Sequence, residues 1–229
     1  MTTIAYRDGI LAVDDLVTLK NSKMQKGVKC GHCGGDHNLI YHTPEKLFLF
    51  KGTASYKGDT IIAGAAYGSG NIGWTIKTVL EQSHSDPDTV FSTFAHLLDY
   101  ENIGGVILMC EQGIYDLNLR RRGFVSVKLD EPYVVHGHGG PAASSAIQLF
   151  NADAVTAVQF SGVGNNATGT TVYSVSREEK IIVKTAMLST EALKNTLFAQ
   201  PLHVDEDKAT EAPPASPVKQ KAKRKAAAK

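Results

Sequence analysis

The chain has 229 residues, a formal net charge of +1 and 42% hydrophobic residues, which fits one core-bearing domain with extensions. No apolar run reaches the roughly 18 residues of a membrane-spanning helix, and the chain does not open on the basic and apolar pattern of a signal peptide. With three cysteines, an odd number, we expect a cytoplasmic protein in a reducing compartment without a disulfide framework.

The segment after Met1, TTIAYRDGILAVDDLVT, predicts a β-hairpin. Its strands, Thr2 to Tyr6 and Ile10 to Val17, alternate apolar and polar residues around an Asp-Gly turn. Removal of Met1 is expected before a small residue such as Thr2. That would leave a threonine whose α-amine, titrating at about 7.7–8.0, can act as general base for its own hydroxyl. The alternative is an ordinary chain start.

A polar, glycine-rich segment with cysteines and histidines follows the hairpin. Cys30 and Cys33 have the CxxC spacing that directs two thiolates at one metal ion, and His37 and His42, or His32, would complete a tetrahedral zinc site. Four protein ligands leave no position for water, so such a zinc would be structural. The pattern is equally consistent with a glycine-rich surface loop whose cysteines and histidines are incidental.

The middle of the chain mixes strands and helices in an order that favours an α+β fold over a parallel α/β plan. Strands are predicted from apolar runs, and helices from apolar residues at three- and four-residue spacing, as at Ile72, Ile76 and Val79. Cys110 lies in one of the apolar runs and is predicted to be core. The predicted strands are 46–50, 59–67, 105–110, 114–119, 124–129, 171–175 and 180–185, and the predicted helices are 71–83, 88–98, 141–150, 154–161 and 189–198.

The C-terminal residues 200–229 are predicted to be a disordered tail. Apolar content collapses from Gln200 onward, and the proline-rich stretch Pro213 to Pro217 is typical of an unstructured linker. The end is a basic tract that includes Lys221, Lys223, Arg224 and Lys225. Such a tract can bind nucleic acid through its phosphates, and the alternative is a tail that only aids solubility.

Two segments, TTIAYRDGILAVDDLVT and HGHGGPAAS, resemble the proteasome β-subunits and HslV, the bacterial proteasome-like peptidase, and above all HslV-like proteins of bacteriophages. The resemblance covers about residues 2–176 in pieces. It implies an N-terminal nucleophile hydrolase domain over residues 1–199, built as a four-layer αββα sandwich of two antiparallel sheets between helical layers. The Cys/His segment, about residues 24–45, is then an insertion.

The resemblance also implies an activity and partners. The family members are threonine-type endopeptidases that need no cofactor for catalysis and form homo-oligomeric rings, in some cases with an ATP-dependent unfoldase. For a phage-encoded member the expected location is the cytoplasm of the bacterial host. The family pattern makes Thr2 the nucleophile and Lys46 the group that lowers the pKa of its amine. Asp14 holds Lys46 charged and in place, and the backbone N–H of Gly68 (Tyr67 in an ungapped alignment) stabilises the oxyanion.

Two positions depart from that pattern. The family serine that hydrogen-bonds the catalytic amine is replaced here by the larger His138, whose imidazole can also donate or accept a proton. The matches to a family Asp and a Ser or Thr three residues on are Asn165 and Thr168, so the Asp position carries an amide, as HslV-type members also tolerate. These departures keep a second hypothesis open, a catalytically degenerate relative that serves as an oligomeric assembly or nucleic-acid-binding module.

Overall fold

The computed structural model describes residues 2–19, 39–42, 46–52, 54–68, 70–82, 86–95, 104–120, 123–163 and 171–198. The strands are β1 Thr3–Arg7, β2 Ile10–Asp14, β3 Leu16–Leu19, β4 Leu39–His42, β5 Leu47–Leu49, β6 Ser55–Tyr56, β7 Asp59–Gly68, β8 Gly104–Cys110, β9 Ile114–Arg120, β10 Gly123–Leu129, β11 Tyr133–Gly137, β12 Thr171–Ser176 and β13 Ile182–Ala186. The helices are α1 Gly70–Gln82, α2 Pro87–Ala95, α3 Gly140–Phe150, α4 Ala154–Ser161 and α5 Thr190–Phe198.

The strands form two antiparallel sheets and a separate ribbon. The first sheet has the order β11-β1-β2-β12-β13, and the second has the order β10-β9-β8-β7-β5, with the short β6 also paired to β7. The ribbon pairs β3 with β4. The prediction of an α+β fold with two antiparallel sheets is confirmed.

The alternation along β1 and β2 explains how the first sheet is buried on both faces. Ile4 and Leu11 pack between the sheets, in a core that includes Ile107 of the second sheet. Ala5 and Ala12 face the other way and pack with residues of α3, α4 and α5. Consecutive apolar residues, such as Ile4–Ala5 and Leu11–Ala12, are what a strand covered on both faces requires.

The helices cover the outer faces of the two sheets. Ile76 of α1 and Phe91 of α2 pack against Leu117 and other residues of the second sheet. Ala157 of α4 and Leu193 of α5 pack on the first sheet. The layers therefore follow the order helices, sheet, sheet, helices. Within the described residues, no helix is long and apolar enough to cross a membrane.

The predicted hairpin is confirmed, but its second strand ends earlier than expected. Asp8 and Gly9 both have positive φ, 49° and 80°, as a two-residue type I′ turn requires. The prediction of one continuous strand from Ile10 to Val17 is wrong, because the chain leaves the first sheet after Asp15 and joins the ribbon. The backbone N–H of Asp15 still donates to Thr171 O at 3.1 Å, whereas Leu16 pairs with His42 in the ribbon.

The other predicted elements agree with the structure apart from a few residues at their ends, and three strands of the described residues were missed, β4, β6 and β11. β6 is only two residues long. β11 pairs with β1 along its whole length, with Thr3 opposite Gly137. The segment Tyr133–Gly137 contains the polar His136, and Gly139 and Gly140 follow it closely in the chain. Its strand conformation therefore depends more on pairing with β1 than on its own composition.

Cys110 is fully buried in β8, as predicted. Burial raises the pKa of its thiol to about 12, so almost no thiolate is present at pH 8. We expect iodoacetamide at pH 8 to leave Cys110 unmodified in the native protein and to alkylate it in urea, as measured by peptide mass spectrometry. Alkylation of native Cys110 at the rate seen in urea would contradict this packing.

Candidate active site

The first residues of β1 lie at one end of the sandwich. β1 begins at Thr3, which is paired with Gly137, and the ladder continues one step further because the His138 N–H donates to Thr2 O at 2.8 Å. Gly137 has φ 90°, and a Cβ there would lie 1.7 Å from Thr2 O. This glycine therefore allows β11 to hold the main chain of Thr2 at close range.

The side chains of Thr2 and Thr3 belong to opposite faces of the first sheet. Thr3 is fully buried on the helix side, since a Cβ on Gly139 would lie 2.3 Å from Thr3 Oγ1 and 2.7 Å from Ser161 Cβ. Ile4 packs between the sheets. Side chains alternate along a strand, so Thr2, which is partly buried, shares the inter-sheet side with Ile4.

A buried ion pair joins the two sheets next to Thr2. Asp14 is the last residue of β2, and Lys46 immediately precedes β5. Lys46 Nζ lies 2.8 Å from Asp14 Oδ1, and the side chains are 7% and 0% exposed. The same Oδ1 accepts the N–H of Thr3 at 3.0 Å. One carboxylate oxygen thus fixes both the lysine and the peptide group that follows Thr2.

Burial lowers the pKa of Lys46 below its ordinary value, and the charges of Asp14 and Asp15 oppose that shift only in part. The expectation that Asp14 favours the charged lysine has the correct sign for that one interaction. Desolvation is nevertheless the larger effect, so Lys46 loses its proton more readily than the attraction of Asp14 alone would suggest.

Gly68 ends β7 at the same end of the sandwich as Lys46. Leu47 is paired with Ala65, which brings the residue before Leu47 close to the end of β7. Gly68 has φ 83° and is exposed. A left-handed conformation of this kind is accessible to glycine at little cost. The candidate oxyanion donor, the Gly68 N–H, thus belongs to the strand that pairs beside Lys46.

His138 contacts Thr2 through its main chain, and its side chain is exposed. It follows β11 and comes two residues before α3, which has Pro141 in its first turn. The contact that the structure describes is this backbone hydrogen bond, whereas the role that the resemblance implies for His138, at the amine of Thr2, belongs to its side chain.

Several predicted site residues lie outside the described part of the chain. The unplaced catalytic candidates are Asn165 and Thr168. The unplaced metal candidates are Cys30, Cys33, His37 and the alternative His32, and the basic tail residues are Lys221, Lys223, Arg224 and Lys225. His42 closes β4, but its side chain is not described. Among the residues that are described, no group of three or more potential metal ligands occurs.

The structure adds a polar cluster that the sequence did not reveal. Tyr67, Asp116, Asn118 and His136 meet between the two sheets, at the end where β1 begins. Two of its four residues could have been found in the sequence of β9, IYDLNLR. In this strand Asp116 and Asn118 alternate with the buried Leu117 and Leu119. Polar residues on an inward face of a covered sheet are unusual enough to indicate a site.

No family model matches this chain, and no curated protein matches it. Among solved structures it is similar to a chain described as Thiobacillus denitrificans BPH, with 16% sequence identity, a TM-score of 0.46, and coverage of 82% of this chain and 98% of that chain. A likeness at this score and identity carries no weight for fold family or function.

Proposed function

We propose that the chain is a threonine-type peptidase of the N-terminal nucleophile hydrolase class, with Thr2 as its first residue after removal of Met1. The observation that carries the proposal is the buried Lys46–Asp14 pair, which bridges the sheets and is tied to the N–H of Thr3. A buried ion pair contributes little net stability, and a buried lysine whose pKa is shifted beside a specific charge partner is typical of functional sites. The layer order of helices and sheets is also that of the αββα sandwich.

In the proposed reaction the Thr2 Oγ attacks the carbonyl carbon of a peptide bond, and the α-amine of Thr2 takes the hydroxyl proton. The N–H at Gly68 stabilises the oxyanion of the tetrahedral intermediate. The C–N bond then breaks, and the ammonium returns its proton to the leaving amine. Water, deprotonated by the same α-amine, hydrolyses the resulting ester and restores the Thr2 hydroxyl.

Lys46 acts on the α-amine through its charge. A positive charge nearby disfavours protonation of a second amine, so more of the Thr2 amine is in the basic form at neutral pH. Asp14 holds the ammonium of Lys46 through the ion pair, and it holds the start of β1 by accepting the N–H of Thr3. Neither residue exchanges a proton with the substrate in this scheme.

Thr2→Val and Thr3→Val form a matched pair of variants that tests the proposal. Both replace a hydroxyl by a methyl group, but only Thr2 carries the nucleophile. The buried Oγ1 of Thr3 has no hydrogen-bond partner among the described residues, so its replacement by an isosteric methyl should be nearly neutral for folding. On a panel of fluorogenic peptides, Thr2→Val should lower the rate by about 10³-fold or more and Thr3→Val should keep it. Hydrolysis by Thr2→Val would refute the mechanism.

One observation favours a second function. An exposed histidine, His138, stands where the family that the chain resembles has a serine. If this departure marks loss of activity, the fold serves as an oligomeric assembly or nucleic-acid-binding module, and removal of Met1 is not needed. Retention of Met1 in the protein from its natural host would favour that function. Ring assembly is proposed for both, and sedimentation of the full chain measures it.

A further inference from the structure

Tyr67, the residue before Gly68, is held by two side chains of β9. Its hydroxyl donates to Asp116 Oδ1 at 2.5 Å and accepts from Asn118 Nδ2 at 3.0 Å. Tyr67 is only partly buried, but it packs against the core between the sheets. The hydroxyl of Tyr67, which directly precedes the candidate oxyanion donor, is therefore held in place by two hydrogen bonds.

A histidine of the other sheet completes the cluster. The His136 ring stacks on the Tyr67 ring, with centroids 5.1 Å apart and planes inclined by 22°. Its Nε2 lies 3.7 Å from Asp116 Oδ2. His136 is paired with Ile4 in β1. The cluster thus connects the end of β7 to β1, the strand that directly follows Thr2.

The sequence makes room for this arrangement at Gly105. Gly105 lies between Tyr67 on one side and Asn118 on the other in the strand ladder. A Cβ at Gly105 would lie 2.4 Å from Tyr67 Oη and 2.3 Å from the backbone O of Leu117. Because glycine has no side chain, the Tyr67 ring can cross β8 and reach β9.

We infer that Tyr67, Asp116, Asn118 and His136 are positioning residues that set the oxyanion donor at Gly68 relative to Thr2, an inference that rests on the proposed function. The N–H of Gly68 belongs to the peptide group whose carbonyl comes from Tyr67, so a fixed Tyr67 fixes the direction of that N–H. His136 links the same group to β1. Donors that are aimed in advance at the developing charge accelerate the reaction without tightening the binding of substrate.

Tyr67→Phe removes only the hydroxyl and is the first variant to make. We expect kcat to fall about tenfold and KM to stay within about twofold, since loss of a whole oxyanion donor costs about 10²–10³ in kcat. Asp116→Ala should give the same loss, and Asp116→Asn, which keeps an acceptor for the hydroxyl, should restore most of it. The double variant Tyr67→Phe/Asp116→Ala should lose less than the product of the two single losses, because both changes break the hydrogen bond between Tyr67 and Asp116.

Tyr56→Phe is the matched control. Tyr56 also donates its hydroxyl to an aspartate, Asp88, at 2.5 Å, but it does so near the opposite end of β7. It should lower the thermal midpoint and leave kcat unchanged. An unchanged kcat in Tyr67→Phe, an effect confined to KM, or equal losses of kcat in Tyr67→Phe and Tyr56→Phe would overturn the inference alone. A wild-type protein without Thr2-dependent hydrolysis would overturn the proposed function together with it.

Discussion

Replacing Lys46 with alanine should abolish peptide hydrolysis and also destabilise the protein. Without the Lys46 charge, the Thr2 amine is protonated more readily and is a poorer general base, an effect of about 10²–10⁴ in rate. The variant also leaves Asp14, which is fully buried, without its lysine partner. Breaking a buried ion pair in this way costs about 3–5 kcal/mol of unfolding free energy. Steady-state kinetics and urea unfolding measure the two effects.

A double variant separates the loss of activity from the loss of stability. Asp14→Asn/Lys46→Met removes both buried charges, and the asparagine oxygen can still accept the Thr3 N–H. Replacement of both partners of a buried pair is often neutral for stability. We expect a free energy of unfolding near that of the wild type and no hydrolysis. Lys46→Ala or the double variant with wild-type kcat/KM would rule out the role of Lys46.

Gly137→Ala should be nearly as damaging to catalysis, although residue 137 takes no part in the reaction. Its Cβ would lie 1.7 Å from Thr2 O, and its φ of 90° is unfavourable for alanine. Either β11 or the start of β1 must move to relieve this contact. A displacement of about 1 Å can cost 10²-fold in rate, so kcat/KM should fall on the order of a hundredfold.

Gly140→Ala provides the control for Gly137→Ala in the same glycine-rich segment. A Cβ at Gly140 meets nothing within 4 Å, and Gly140 is the first residue of α3. Alanine favours the helical conformation, so this variant should be as stable as the wild type or slightly more so. Full activity in Gly140→Ala with loss in Gly137→Ala is the expected pattern. Wild-type kcat/KM in Gly137→Ala would contradict the close packing of β11 on Thr2.

The sequence predicted those parts of the fold that depend on local interactions. The Asp8–Gly9 turn and the buried strand around Cys110 each depend on residues close together in the chain. The end of β2 was misplaced because Asp15 is still held by Thr171, more than a hundred residues away, whereas Leu16 pairs with His42 in a different sheet. No pattern within Ile10 to Val17 contains that information.

The site residues, too, depend on contacts between distant parts of the chain, which the sequence alone does not show. The Lys46–Asp14 pair was expected from the family resemblance, and not from spacing, since 32 residues separate the two partners in the chain. The cluster around Tyr67 was missed because it needs the register of β7, β8 and β9 and, in addition, the face that β11 turns toward the second sheet. Gly105, which allows the tyrosine to cross β8, looks in the sequence like an ordinary residue of a strand end.

The central claim, that Thr2 is a working N-terminal nucleophile, is tested most directly by intact mass spectrometry. The protein from its natural host is measured before and after treatment with a threonine-directed β-lactone. We predict loss of Met1 and a single covalent adduct, which is retained in Thr3→Val and absent in Thr2→Val. Retained Met1, or a free Thr2 that forms no adduct, would contradict the claim and would mean that the fold serves as a scaffold.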